Sequence, residues 1–112
     1  MLPKRRRVTK RLFDRVMKEG SVLHSPLFTL RFVKESPDMY SHFAVVAPKS
    51  VAKSAHIRNS LRRKGYNACR EIPIPLPCVG LLFFKKGSIN APQLQIVTEL
   101  KLLFKKAQLL HE

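Results

Sequence analysis

The first apolar pattern along the chain predicts a short helix after residue 9. Thr9 is a typical N-cap residue, and Val8 and Phe13 have the spacing of a hydrophobic staple around it. Apolar residues then recur every three or four positions until Gly20, which favours the end of a helix. The core-facing side of this helix would be formed by Leu12, Phe13, Val16 and Met17.

The next apolar segment alternates with the period of two that is typical of a strand. Phe28, Leu30 and Phe32 would face a core, while Thr29 and Arg31 would point to the opposite side. This strand therefore has one buried face and one face that is free for other contacts.

Two further strands are predicted on either side of a long helix. Residues 42–47 follow a turn at residues 36–38 and end at Pro48. Residues 79–84 are apolar on both faces, as a central strand should be. The helix between the two strands covers residues 57–71.

A proline-rich spacer and a last helix complete the pattern. Pro73, Pro75 and Pro77 cannot continue a helix, so they predict an extended connection. Asn90 is the predicted N-cap of the final helix, with Pro92 in its first turn. The core-facing stripe of this helix would be formed by Leu94, Ile96 or Val97, Leu100, Leu103 and Ala107.

These elements predict an α+β fold, a sandwich of helices on a small mixed sheet in the order α-β-β-α-β-α, with or without one extra strand. Residues 1–112 would form a single domain, with residues 1–8 as a flexible basic arm. Strands 42–47 and 79–84 would form a βαβ unit if they pair in parallel, and such a crossover is right-handed by default.

The net charge of the chain indicates that this domain binds a partner of opposite charge. Lys and Arg number 22 against 7 Asp and Glu, which gives a formal charge of +15. Self-repulsion at that charge opposes compactness, so a polyanion that neutralises it is expected. The 45% hydrophobic content is too high for a disordered basic tail. No apolar run approaches the roughly 18 residues of a membrane span, and we expect a cytoplasmic protein.

Positive charge is concentrated in the helix at residues 57–71 and the connection before it. From Lys49 to Arg70 there are seven Lys or Arg residues and no acid. At 100° per residue, six residues of the helix fall within roughly 140° of arc, opposite Ile57 and Leu61: Arg58, Asn59, Arg62, Arg63, Tyr66 and Arg70. The predicted nucleic-acid contacts are Lys49, Lys53, His56, Arg58, Asn59, Arg62, Arg63, Tyr66 and Arg70. For Asn59 an alternative is open, namely that it caps the start of its own helix.

Neither a metal site nor catalytic residues are apparent in the sequence. Cys69 and Cys78 are nine residues apart with no ligand spacing, so we interpret them as buried hydrophobic residues in a reducing compartment. The seven acids are scattered along the chain, whereas metal-assisted hydrolysis needs clustered carboxylates. The protein alone is expected to hold no metal.

The segment Arg58-Asn59-Ser60-Leu61-Arg62-Arg63 resembles the RNRxKR-type signature of the protein subunit of bacterial ribonuclease P. Other blocks occur in the family's order over nearly the whole chain. They are Leu2-Pro3-Lys4, the helix with Phe13 before Gly20, Phe28-Thr29-Leu30, Phe43-Ala44-Val45-Val46-Ala47-Pro48-Lys49, and Leu82-Phe83-Phe84-Lys85-Lys86-Gly87. The chain departs from the family pattern at Ser60, Gly65, Tyr66 and Asn67 within the long helix, where an Arg, an aliphatic residue, an Arg and an acid are usual.

The resemblance implies a function and a division of labour. The protein would bind the catalytic RNA and the 5′ leader of precursor tRNA, while the RNA holds Mg²⁺ and hydrolyses the phosphodiester. The isolated chain would be inactive and monomeric outside the holoenzyme. A cleft for the leader would involve Phe13, Met17 and Arg31, although Phe13 could equally be only a staple and core residue. The family's fold further implies a left-handed βαβ crossover, contrary to the default.

Three other functions compete with this one. A binder of structured RNA, such as a ribosomal protein, would have a similar size and charge. A DNA-binding module would place helix 57–71 in the major groove, but the proline-rich spacer provides no turn-coupled second helix. A self-sufficient nuclease is the least favoured, because the acids are dispersed.

Overall fold

The apolar faces predicted above assemble into three helices on one four-stranded sheet. The computed structural model of the protein describes residues 8–35, 41–72 and 77–108. Its elements are α1 (Lys10–Glu19), β1 (Ser21–His24), β2 (Phe28–Lys34), β3 (His42–Val46), α2 (Ala55–Glu71), β4 (Cys78–Phe84) and α3 (Gln93–Lys106). The predicted α+β order is confirmed, and β1 is the extra strand.

The strands are arranged in the order β1-β2-β4-β3. β1 with β2 and β2 with β4 pair antiparallel, whereas β3 and β4 pair in parallel. The predicted βαβ unit of β3, α2 and β4 is therefore confirmed. β4 lies between two neighbours and is buried on both faces, which explains its unbroken apolar sequence. The left-handed crossover stays a prediction.

The two faces of the sheet pack against different helices. Phe28, Leu30 and Phe32 belong to the main core together with the buried residues of α2 and α3. The alternate positions face α1, where Val16 packs on Val79 and Leu81 in a smaller cluster. We call the first side of the sheet the core face and the second the α1 face.

The start of α1 confirms the predicted cap and staple. The Thr9 side chain accepts a hydrogen bond from the Leu12 backbone N–H at 3.3 Å. Val8 and Phe13, on either side of the cap, both pack against the cluster on the α1 face. Gly20 is the C-cap, and its N–H donates to the Val16 carbonyl at 2.8 Å.

Two details predicted for α3 are wrong. Pro92, not Asn90, is the N-cap residue, so the helix begins at Gln93. Leu94 is 77% exposed, because at 100° per residue it lies about 120° around the helix from the buried Leu100. The rest of the predicted stripe is confirmed, because its residues are buried: Ile96, Val97, Leu100, Leu103 and Ala107.

Some predicted segments fall outside the described residues. These are the basic arm except Val8, the turn at residues 36–38, and the spacer prolines Pro73 and Pro75. Elsewhere the differences are small: α2 begins two residues earlier than predicted, at Ala55, and β3 ends at Val46.

A buried carboxylate joins α3 to the loop between β1 and β2. The Glu99 side chain is 9% exposed, and one of its oxygens accepts from Ser25 Oγ at 2.9 Å and from the Leu27 N–H at 3.0 Å. Its other oxygen accepts from Gln95 Nε2 at 3.3 Å. Since these donors replace water around the carboxylate, the acid is tolerated in the interior. The sequence alone gives no sign of this role, since Glu99 is there only one of seven scattered acids.

Gly80 makes room for an aromatic ring between β3 and β4. It pairs with Phe43 across the two strands, and a Cβ at position 80 would lie 2.5 Å from Phe43 Cε1. The Phe43 ring in turn packs against Phe104, with 5.7 Å between ring centroids. Phe104 therefore limits how far the Phe43 ring can move away from an added Cβ.

Gly80→Ala should destabilise the protein by about 1–3 kcal/mol, since an added methyl group overpacks the interior here. Urea unfolding followed by circular dichroism measures this difference. Phe43→Leu in the same background should recover part of the loss, so that the double variant is less destabilised than the sum of the two single variants. Unchanged stability of Gly80→Ala would show that the close contact is absent.

Candidate nucleic-acid interface

The long helix α2 has one buried side and one exposed cationic side. Its buried residues are Leu61, Gly65, Ala68 and Cys69. Among the predicted contacts, Lys49, Lys53, His56, Asn59, Arg62, Arg63 and Arg70 are exposed, whereas Arg58 and Tyr66 are half-buried. The structure thus brings the predicted residues to one helix and the connection before it. We call this set the α2 strip.

No acid neutralises the α2 strip within the described part of the chain. The two ion pairs found there both belong to Arg15, which contacts Glu19 at 3.6 Å and also Glu35. They join α1 to itself and to the end of β2. The cations of α2 therefore remain available to an external anion.

Arg58 holds the connection that precedes α2. Its Nη1 donates to the Ala52 carbonyl at 3.0 Å and to the Lys53 carbonyl at 2.7 Å. These bonds fix the backbone next to Lys53 at the start of the helix. Because a guanidinium has five N–H donors, Arg58 can fix the loop and still offer donors to a phosphate.

Asn59 does not cap α2. The N-cap is Ser54, and Asn59 lies inside the helix, where its Oδ1 accepts from Arg62 Nη1 at 3.4 Å. The interpretation of Asn59 as a cap for the helix start is therefore wrong. The Ser54 side chain makes no capping hydrogen bond, so the first N–H groups of α2 open onto the basic connection.

Gly65 and Tyr66 fasten α2 to the sheet. A Cβ at Gly65 would lie 2.7 Å from Val45 Cγ1 and 3.3 Å from the Phe84 ring, so only glycine allows this close approach. The Tyr66 hydroxyl accepts a hydrogen bond from the Val45 N–H at 3.3 Å. β3 is an edge strand, and Tyr66 covers one of its outward N–H groups. These two departures from the family pattern are thus explained by packing, while a contact between Tyr66 and RNA stays a prediction.

The other candidate surface lies on the α1 face. Phe13 is half-buried in the small cluster under α1, and Met17 beside it on the helix is 41% exposed. Arg31 is half-buried on the same face, between Val22 and Leu81 in the strand register. The structure therefore places Phe13, Met17 and Arg31 on one side of the sheet, while a cleft for the leader stays a prediction.

His24 and Thr29 also belong to this face and were not predicted as site residues. They are paired across β1 and β2, and His24 Nδ1 lies 3.1 Å from Thr29 Oγ1. Residues 21–24 were not predicted as a strand, so the sequence indicated no partner for His24. A period-two reading of Ser21–His24 would have predicted the strand, but its pairing with Thr29 follows only from the register of β1 and β2.

The cysteines are buried, free thiols. Burial raises the pKa of both Cys69 and Cys78 to about 12, which leaves almost no thiolate at neutral pH. Within residues 8–35, 41–72 and 77–108, no three His, Cys, Asp or Glu side chains come together in a group that fits a metal ion. The helices described are also too short or too polar to cross a membrane.

The chain matches a protein-family model in sequence and several solved structures in fold. The family model described as Ribonuclease P matches residues 2–108. An RNase P protein from Staphylococcus aureus has a TM-score of 0.80 at 17% identity, over 95% of this chain and 98% of that one. The RNase P protein from Thermotoga maritima has a TM-score of 0.77 at 24% identity, over 89% and 96% of the two chains. A search of curated proteins finds no match.

Tyr66→Phe should lower the free energy of unfolding by about 1 kcal/mol, because the Val45 N–H loses its acceptor. The slope of RNA affinity against salt concentration should not change, since no charge is removed. Urea unfolding and filter binding measure the two quantities. Thr98→Val, which removes a hydroxyl from the exposed side of α3, is the control and should change stability by less than about 0.5 kcal/mol. Weakened RNA binding with full stability would instead assign the Tyr66 hydroxyl to RNA.

Proposed function

The chain belongs to the ribonuclease P protein family, whose members bind RNA in tRNA processing, and we propose that it is the protein subunit of a ribonuclease P holoenzyme. In this role it binds the catalytic ribonuclease P RNA and the 5′ leader of precursor tRNA. The observation that carries the proposal is the α2 strip, a set of exposed cations without acidic partners among the described residues.

The α2 strip is the proposed contact with the catalytic RNA. Arg62 and Arg63 are exposed on the middle of α2, where a planar guanidinium can bind two phosphate oxygens at once. Lys49, Lys53 and His56 extend the contact to the helix N-terminus, whose N–H groups favour anions. Phosphate contacts of this kind position a protein on RNA without reading its sequence.

The α1 face is the proposed site for the leader. A single strand can stack its bases on aromatic side chains while cations follow its backbone. Phe13 supplies an aromatic ring on α1, and Met17 supplies a flexible apolar side chain on the same helix. Arg31 supplies a cation on β2. Because α1 covers only part of this face, Thr29, Arg31 and Phe83 stay half-buried.

Hydrolysis is assigned to the RNA partner in this proposal. The RNA would hold Mg²⁺, which supplies an activated water and stabilises the charge that develops on phosphate oxygens. The donor groups of the described residues do not fit a metal site. The isolated chain would bind RNA without cleaving it. We further propose that the protein is cytoplasmic. We also propose that it is monomeric outside the holoenzyme, since copies with a charge of +15 repel one another.

Adding the purified chain to ribonuclease P RNA and precursor tRNA at low Mg²⁺ should increase the rate of leader removal. The physical reason is that protein cations replace part of the Mg²⁺ that screens the two RNAs from each other. Cleavage is followed by gel electrophoresis, with chain alone and RNA alone as controls. An equal rate with and without the chain would refute this role and favour a binder of other structured RNA.

Arg62→Ala combined with Arg63→Ala should weaken binding to ribonuclease P RNA and reduce the salt slope by roughly one to two units. The slope is measured as log affinity against log salt concentration. Lys101→Ala combined with Lys105→Ala removes the same charge from the exposed side of α3 and is the matched control, which should keep the wild-type slope. An unchanged slope in the arginine variant would place those side chains away from phosphate.

A further inference from the structure

The same short unit occurs twice on the exposed side of α2. Asn59 is followed three residues later by Arg62, and Asn67 is followed three residues later by Arg70. In each unit the Asn Oδ1 accepts a hydrogen bond from the guanidinium, from Arg62 Nη1 at 3.4 Å and from Arg70 Nη2. All four side chains are exposed, so these contacts orient the arginines without burying them.

The two units have a defined spacing and a fixed direction. Eight residues separate Arg62 from Arg70, which corresponds to about 12 Å along the helix axis and about 80° around it. Between them, Gly65 and Tyr66 hold α2 against Val45 of the edge strand. The helix therefore cannot easily rotate about its own axis, and the Cα atoms of Arg62 and Arg70 keep a constant position relative to the sheet.

Asparagine, unlike aspartate, accepts a hydrogen bond from the arginine without reducing the local positive charge. An amide oxygen accepts a guanidinium N–H as a carboxylate does, but it carries no charge. A carboxylate at the same place would pair with the arginine and cancel one unit of the positive charge that an anion experiences. Asparagine thus restricts the orientation of the guanidinium while leaving its full charge available.

We propose that Asn59 and Asn67 are positioning residues that hold Arg62 and Arg70 as two oriented phosphate-binding positions on α2. The second unit extends the contact with the RNA backbone to the C-terminal end of the helix, beyond the arginine cluster at residues 58–63. This inference deepens the function proposed above and rests on it.

The test compares two substitutions of Asn67 in the full chain, with affinity for ribonuclease P RNA measured over a range of salt concentrations. Asn67→Asp places a carboxylate beside Arg70, so the salt slope should fall by about one unit and affinity by about tenfold. Asn67→Ala leaves the charge of Arg70 intact but removes its acceptor. Affinity should then fall by about two- to tenfold with an unchanged slope. Asn59→Asp and Asn59→Ala should repeat this pattern through Arg62.

Asn90→Asp is the matched control, because it makes the same charge change at an exposed position in the loop before α3. It should keep the wild-type slope, and thermal unfolding should confirm that every variant is folded. The inference is overturned if Asn67→Asp keeps the wild-type slope, or if Asn67→Ala binds as tightly as the wild type. A wild-type chain that binds this RNA with no salt dependence would instead overturn the proposed function itself.

Discussion

The close packing of α2 against the edge strand β3 is the constraint on which the proposed RNA surface depends. Gly65 lets the helix backbone approach the Val45 side chain, and the Tyr66 hydroxyl accepts from the backbone of the same residue. Together they set both the distance of α2 from β3 and its rotation. That rotation decides which side chains of an otherwise continuous basic helix face solvent.

The acids that make described contacts lie away from the α2 strip. Arg15 is the one cation of the described chain that pairs with acids, and it does so on α1, away from the α2 strip. Glu99 is used inside the fold, where it accepts hydrogen bonds from the loop between β1 and β2. A domain that stays strongly positive is held together by its apolar core, while its few carboxylates serve local structure. Its repulsive energy is relieved when a polyanion binds.

The sheet separates two kinds of surface. Its core face is filled by α2 and α3, which bury nearly all of the aromatic residues of β2, β3 and β4. Its α1 face is covered by a single ten-residue helix, so Arg31 and Thr29 keep part of their surface exposed. In the proposed function, α2 on the core-face side contacts the catalytic RNA, and the α1 face receives the single-stranded leader.

Local patterns in the sequence determined most of the elements and the cationic side of α2. Period-two alternation identified β2, the cap and staple identified α1, and the absence of acids from residue 49 to residue 70 indicated the cationic side of α2, because these signals depend on neighbours in the chain. Asn90 was misassigned because both it and Pro92 precede the apolar stripe of α3, and Leu94 because it is apolar but lies about 120° around the helix from Leu100. Contacts between distant residues were decided only by the tertiary structure. Tyr66 against Val45, Glu99 against Leu27 and the pairing of His24 with Thr29 all require the sheet order, which local spacing does not encode.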